Sequence, residues 1–480
     1  MVNGVNRIIS VGLVVAASVT CAAADEARWP QFRGPNGRGV AERGTFPVQL
    51  DASRNLLFKT VVPKGQSSPC IWDDHLFLTG LTDDTLETLC IDRRDGRIVW
   101  RQSVPEGPLE TFDAPGGPAA ATPVTDGKRV YVYFGSYGLL CYDLAGKPVW
   151  RRPLPPPIEG WGAAASPILA DDLLVLKCDQ DVGSYLLAVD RRNGKPVWKT
   201  KRERFRRSYG TPIVWRHPED AGIPDELVVP GALELAAYDL RDGRERWSVR
   251  GLPADMCTTP VTGDGLLFVA ARGPGGTASD RLVLPPFPEA LKEYDADGNG
   301  RLTKDEVPAG RVRQDFDEVD ADKNGSVNEA EWKRSADWFA RTENGLLAVR
   351  PGGRGDVTGT HVLWKQKRAL PYVPSPLHYR GRIYLVKDGG IISCYDSKTG
   401  EQRFQERLPA KGTYHTSPVA GDGKIYVASR RGVVTVLAAD DKLDVLARND
   451  LQEELSATPA LVDNKIYVRT AKHLFAFGTR

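Results

Sequence analysis

Ala188-Val-Asp190-Arg-Arg-Asn193-Gly194-Lys-Pro-Val-Trp198 is the end of one apolar strand, a tight turn and the start of another strand. Asn-Gly at the turn supplies the positive φ that a short hairpin needs, and the Asp before it can bond local backbone. Upstream, Ser166-Pro167 opens a short apolar strand, and a second apolar strand follows it. The same order recurs from Ser68-Pro69, Thr122-Pro123, Thr211-Pro212, Thr259-Pro260, Ser375-Pro376, Ser417-Pro418 and Thr458-Pro459, at steps of 54, 44, 45, 48, 116, 42 and 41 residues. Four short strands at a period in the forties are the signature of a propeller blade. The fourth strand carries an aromatic at Trp100, Trp150, Trp198, Trp247, Trp364 and Phe404, and only Leu443 to Leu446 in the seventh repeat. The eighth repeat stops at Arg480 before any fourth strand, whereas residues 55–59 (Asn-Leu-Leu-Phe-Lys) have its pattern. The expectation is an all-β, eight-bladed propeller closed by that N-terminal strand, so that no sheet edge stays open at the seam.

The turn recurs as Asp92-Arg-Arg-Asp95-Gly96, Asp239-Leu-Arg-Asp242-Gly243 and Asp396-Ser-Lys-Thr399-Gly400. The tryptophans read as wedges between blades. With Ala188, Asp190, Gly194 and Trp198 as the pattern, residues 29–480 resemble the pyrroloquinoline-quinone-like repeat proteins. These are the superfamily of quinoprotein alcohol dehydrogenases and of the eight-bladed outer-membrane assembly lipoprotein. The opening Trp29-Pro-Gln-Phe-Arg-Gly-Pro-Asn-Gly is similar to the start of many exported members. The resemblance implies the fold. It does not carry over the quinone chemistry, which in that superfamily uses an adjacent-cysteine disulfide, a calcium and a catalytic Asp. No two cysteines here are adjacent, and no Asp can be matched to the catalytic one. Pyrroloquinoline quinone is therefore not expected as a cofactor.

Near-balanced charge, +2 over 480 residues, gives no pull toward nucleic acid. Arg7, the apolar residues 8–17 and Ala22-Ala23-Ala24 form an export signal, with residues 1–24 removed. The apolar run is too short to span a membrane, and no other segment is long enough. The expected compartment is periplasmic or extracellular. A lipidated Cys21 is the alternative, though Thr20 before it is not the small residue such a site prefers. The remaining six cysteines show no paired spacing and read as buried free thiols.

The step of 116 residues leaves room for an insertion over about residues 273–342, between the second strand (266–271) and third strand (345–349) of blade 5. Blades 1–5 then occupy residues 25–272 up to the insertion, and the rest of the propeller 343–480. Inside it lie two twelve-residue loops with the oxygen pattern of EF-hand calcium sites. The first offers Asp295, Asp297, Asn299, the Arg301 carbonyl, Thr303 through water, and Glu306. The second offers Asp320, Asp322, Asn324, the Ser326 carbonyl, Asn328 and Glu331. Gly300 and Gly325 permit the sharp turn, and Leu302 and Val327 can pair the loops. Helices are expected over 288–294 and 329–339, with one shared helix in 307–319. Two calcium ions held constitutively suit that short linker better than a sensor does.

Propeller geometry places the insertion on the face where the Ser/Thr-Pro strands enter the channel, overhanging its mouth. Gln66, Trp161, Tyr209, Asp255, Tyr372, Tyr414 and His415 precede those strands and should rim it, where a planar or sugar ligand could stack. The basic run Lys201-Arg202, Arg204, Arg206-Arg207 reads as a solvated loop. No H-E-x-x-H, G-x-S-x-G or phosphate-binding loop occurs. The expected function is a non-catalytic, monomeric, calcium-binding scaffold for a small ligand or an envelope protein. The alternative is a quinone-dependent alcohol or sugar dehydrogenase.

Overall fold

Beyond Met1, the computed structural model describes residues 28–479, apart from Pro115, Pro308 and Asp315. The export signal and Cys21 lie outside the described residues. Eight sheets, each built on four antiparallel strands, form the blades. Blade 3 shows the plan, running outward from the axis through Ile168–Ala170, Leu173–Cys178, Tyr185–Asp190 and Pro196–Lys201. The middle strands are buried on both faces and read as continuous apolar runs. The eighth sheet is completed from the other end of the chain, where Leu56–Val61 pairs antiparallel with His473–Gly478. In blade 7 the aromatic place is taken by Ala447, opposite Val436. The apolar pair Leu443 to Leu446 expected there falls short of it, because the fourth strand runs later, over Val445–Asp450.

The recurring Ser/Thr-Pro has a structural reason. Each Ser or Thr donates its amide N–H to the hydroxyl of the equivalent residue one blade on. Ser68 bonds Thr122 (2.9 Å), Thr122 bonds Ser166 (2.9 Å), Ser166 bonds Thr211 (3.1 Å) and Thr211 bonds Thr259 (2.9 Å). Thr259 bonds Ser375, Ser375 bonds Ser417, Ser417 bonds Thr458 and Thr458 returns to Ser68, each at 3.0 Å. Eight bonds thus close a circle round the axis. The following proline keeps each Ser or Thr extended.

A second joint works at the circumference. The indole N–H of Trp100 donates to Leu144 O in the next blade (2.9 Å), Trp150 to Arg191 O (3.0 Å), Trp198 to Leu240 O (3.0 Å) and Trp364 to Ser397 O (3.2 Å). The same rings lie on the turn glycine of that next blade. A Cβ on Gly194 would stand 2.6 Å from the Trp150 ring, and one on Gly243 2.5 Å from that of Trp198. The turn glycine therefore answers two demands, a positive φ and a flat seat for the neighbouring indole. Trp247 is the exception. It bonds Glu226 of its own blade (3.0 Å), because blade 5 replaces the short turn by a longer loop whose Gly355–Asp356 runs parallel to Trp247 and Ser248.

The N-terminal segment crosses the axis. Arg28 and Trp29 pair with the inner strand of blade 1, Pro30 O accepts from Thr125 N of blade 2 (2.9 Å), and Gly37 lies against Ile213 of blade 4. Arg33 reaches Pro376 O of blade 6 (2.7 Å), and Val40–Ala41 joins the inner strand of blade 7 in parallel. The Gly-Pro-Asn-Gly stretch makes these bends: Gly34, Asn36, Gly37 and Gly39 all have positive φ. Arg33 is fully buried with no carboxylate partner among the described residues, and burial lowers its pKa to about 9. One end of the channel is sealed.

Candidate functional site

Above that seal lies a cavity of about 460 Å³. Phe32 of the sealing segment lines it, and all eight hydroxyl-bearing residues of the inner circle belong to its wall. The channel is thus a blind funnel with one mouth. Of the rim residues expected from sequence, Gln66, Trp161, Tyr209, Asp255, Tyr372 and His415 line it. Tyr414 does not. It is buried and turned into blade 6, donating its hydroxyl to Ala410 O. Its neighbour His415 faces the funnel, and successive side chains on an extended chain point to opposite sides. Burial lowers the His415 pKa. Cys257 also lines the funnel and is half-buried, whereas the other five described cysteines are fully buried and free.

Behind the wall of blades 3 and 4 the basic run is solvated only at Lys201 and Arg204, which are exposed. Arg202, Arg206 and Arg207 are all buried. Arg202 grips both oxygens of Asp179 (2.7 and 2.9 Å), and Lys177, whose pKa burial lowers to about 8, donates to Ser208 Oγ (2.7 Å) with Asp179 at 3.9 Å. Arg207 stands 3.6 Å from Asp181. Burial pushes the Glu110 carboxyl up to about 7 and raises Glu159 well above its usual range. Basic residues alternating with an aromatic have the pattern of a surface loop. What hides their burial is that each acid partner lies on a different strand or loop, more than twenty residues away in sequence or at a place no periodicity marks.

The insertion sits between strands ending at Ala271 and restarting at Gly345. Helix α1 spans Phe287–Tyr294, α2 Arg311–Gln314, α3 Phe316–Val319 and α4 Glu329–Arg341. Loops 295–306 and 320–331 are joined by a short ladder, Leu302 opposite Val327 and Thr303 opposite Ser326. Leu302 and Val327 are fully buried in a local core with Phe287, Phe316, Trp332 and Phe339. Oxygens of Asp295, Asp297 and Glu306 lie within 4.8 Å of one another, as do those of Asp320, Asp322 and Glu331. Each loop is wound by its own amides: Gly300 N donates to Asp295 (2.9 Å) and Gly325 N to Asp320 (2.8 Å). Both glycines have positive φ with open space where a Cβ would go, so conformation alone selects them. Glu306 and Glu331 fold back to Ala296 N and Ala321 N (3.1 Å each), closing each loop on itself. Asn299, Arg301, Thr303, Asn324, Ser326 and Asn328 stand at the remaining loop places. The Asn299 and Asn324 carbonyls accept from Arg301 N (2.8 Å) and Ser326 N (3.0 Å), and Asn328 caps α4. Burial and the nearby Glu331 carboxylate raise the Asp320 pKa.

The pair stands on the same face as the mouth but is seated on blades 3 and 4, and among the described residues only Pro274 of the insertion lines the funnel. Trp338 of α4 packs with Ala232, Leu233 and Ala254, and Arg206 lies 4.0 Å over its ring. Arg341 bridges to Glu234 (2.7 Å), and Lys323 of the second loop stands 3.5 Å from Asp181.

A family model described as outer membrane protein assembly factor BamB matches residues 85–255, 183–283 and 390–477, more than half of the chain. The protein belongs to that family. No curated protein matches it by sequence. The structure of BamB from Moraxella catarrhalis, at 12% identity and a TM-score of 0.54, aligns over 88% of this chain and 99% of its own. A europium-containing methanol dehydrogenase aligns at 11% identity and a TM-score of 0.56, over 94% and 98% of the two chains. The quinohemoprotein alcohol dehydrogenase ADHIIG from Pseudomonas putida HK5 gives 12% and 0.56, over 94% and 80%. Family members and dehydrogenases share this propeller, so the fold by itself does not choose between scaffold and enzyme. No described helix is long and apolar enough to cross a membrane.

Proposed function

We propose that the protein is an exported, calcium-loaded propeller that works as a binding scaffold, its funnel taking a ligand and its faces a protein of the cell envelope. The observation that carries the calcium reading is the pair of closed loops, each with three carboxylates converging within 4.8 Å. They are read as EF-hands. Asp295, Asp297, Asn299, the Arg301 carbonyl, Thr303 and Glu306 would hold one ion, and Asp320, Asp322, Asn324, the Ser326 carbonyl, Asn328 and Glu331 the other. Calcium there would neutralise the carboxylates of each loop and tie the first and last residues of that loop together. The family's description as an outer-membrane assembly factor supports an envelope partner.

The funnel's donor set favours a scaffold over a quinone dehydrogenase. Pyrroloquinoline quinone is a tricarboxylate, but the buried cations of blade 3 are already turned toward Asp179 and Asp181. The cysteine on the wall, Cys257, has no adjacent partner, and burial pushes its thiol up to about 12. These residues do not fit that cofactor, and no chemical step is assigned to it.

Calorimetric titration of the mature protein with calcium tests the reading. Two ions per chain are expected, with Glu306→Gln and Glu331→Gln each removing one. Heat that is absent at millimolar calcium, or unchanged in both variants, would remove the calcium claim.

A further inference from the structure

We propose that the blind funnel is a site for a neutral oligosaccharide, bound end-on with its terminal sugar in the hydroxyl circle and the next ring stacked at the mouth. This rests on the reading of the funnel as a ligand site and names the ligand's class.

Three observations converge. The eight Ser and Thr hydroxyls on the wall are each no more than 4% exposed. Every one accepts an amide N–H from its neighbour, which fixes its oxygen, yet among the described residues none finds an acceptor for its own proton. A buried donor without an acceptor is costly, so a ligand oxygen that enters the cavity and accepts these protons is favoured. A ring of fixed oxygens with rotatable protons suits a ligand that presents many hydroxyl oxygens around its circumference. Second, the mouth offers aromatic faces. Trp161 is 42% exposed on the rim, and the rings of Tyr209 and Tyr372 also line the funnel. An exposed aromatic ring at the mouth of a cavity with hydroxyls in its wall is the arrangement that the apolar face of a sugar ring stacks upon. Third, the wall shows little unpaired charge to a ligand. Of the described lining residues, Asp255 is engaged by a partner within the protein and burial lowers the His415 pKa; behind the wall Lys177, Arg202 and Arg207 are turned to Asp179 and Asp181. A charged ligand would meet no free counter-charge there, whereas a neutral polyol needs none. The cavity's volume of about 460 Å³ holds a sugar unit or two and leaves a longer chain no exit past Phe32.

The test uses the calcium-loaded mature chain and saturation-transfer NMR with calorimetry. Cellotriose, maltotriose and tri-N-acetylchitotriose are the neutral probes; trigalacturonate and the glucosamine trimer are the charged controls. At least one neutral probe should bind with a Kd at or below about 1 mM. Trp161→Ala, which alters only an exposed rim ring, should weaken it about tenfold or more. Ser417→Ala should also weaken it, with its fold checked by circular dichroism. Absence of binding by all three neutral probes at about 10 mM, binding by the charged controls alone, or binding indifferent to Trp161→Ala would overturn the proposal. Failure of these probes in a chain that still takes two calcium ions sinks the sugar site alone. Sugar binding by a chain that takes no calcium sinks the calcium reading alone.

Discussion

Gly194 shows how one position can carry two constraints. Its φ of +71° excludes most side chains at modest cost, and the Trp150 ring 2.6 Å from its missing Cβ excludes any side chain at all. Gly222, with φ +65° and nothing within 4 Å, bears the first constraint alone. Gly222→Ala should therefore lower stability by about 1 kcal/mol and Gly194→Ala by roughly 2–4 kcal/mol, as read from urea midpoints. Equal losses would show that the indole seat adds nothing. In the sequence both Gly194 and Trp150 are legible as repeat features, the one as a turn residue and the other as a wedge. Their contact is not, since it joins the fourth strand of one blade to the turn of the next. The hydroxyl circle escapes for the same reason. Ser68 and Thr458 are bonded partners 390 residues apart, and no local pattern announces that.

At the level of elements, the insertion that carries the proposed calcium loops is a folded body with its own core, fastened to the propeller by few contacts. Its loops, glycines and paired Leu302 and Val327 can be located from spacing because the loop pattern is defined position by position. Its seat cannot, because Trp338, Arg341 and Lys323 belong to no motif. Trp338 is the main apolar fastening. Trp338→Ala removes a buried indole that touches neither loop, a loss on the order of 3 kcal/mol at the joint. The expected outcome is faster proteolytic cutting within residues 273–286 at saturating calcium, with the calcium stoichiometry unchanged. Cutting at the wild-type rate would mean that other contacts hold the unit. The sealing segment is even less legible: residues 28–41 have no periodicity, and a fully buried Arg33 runs against every compositional expectation for arginine.

The whole molecule should respond to pH through groups that no single blade explains. The turn carboxylates Asp92, Asp190, Asp239 and Asp396 are held near 2 by hydrogen bonds from arginine side chains and turn amides. Their folded pKa lies below the unfolded value, so the stability they add is present above about pH 4 and is lost as pH falls toward 2. Glu110 acts in the opposite direction. Burial raises it to about 7, the folded state binds the proton more tightly, and stability falls as pH rises from about 4.5 to 7 before levelling. The loss is on the order of 3 kcal/mol, since each tenfold gain in proton affinity is worth about 1.4 kcal/mol. Glu110→Gln should thus raise the Tm at pH 8 and leave it unchanged at pH 4, measured by scanning calorimetry. A rise at both values would point to packing rather than ionisation.

The eighth blade has a consequence in time. Among the described strands Leu56–Val61 is one of the first to be made and His473–Gly478 the last, yet they are neighbours in one sheet. Seven blades can assemble as the chain emerges, but the ring stays an open arc until its final strand arrives. The early strand must meanwhile wait, its edge exposed. Contacts of such long sequence separation are the slow ones. Ring closure should therefore be the last and rate-limiting event of folding, and a chain halted before His473 would be a crescent rather than a slightly smaller wheel.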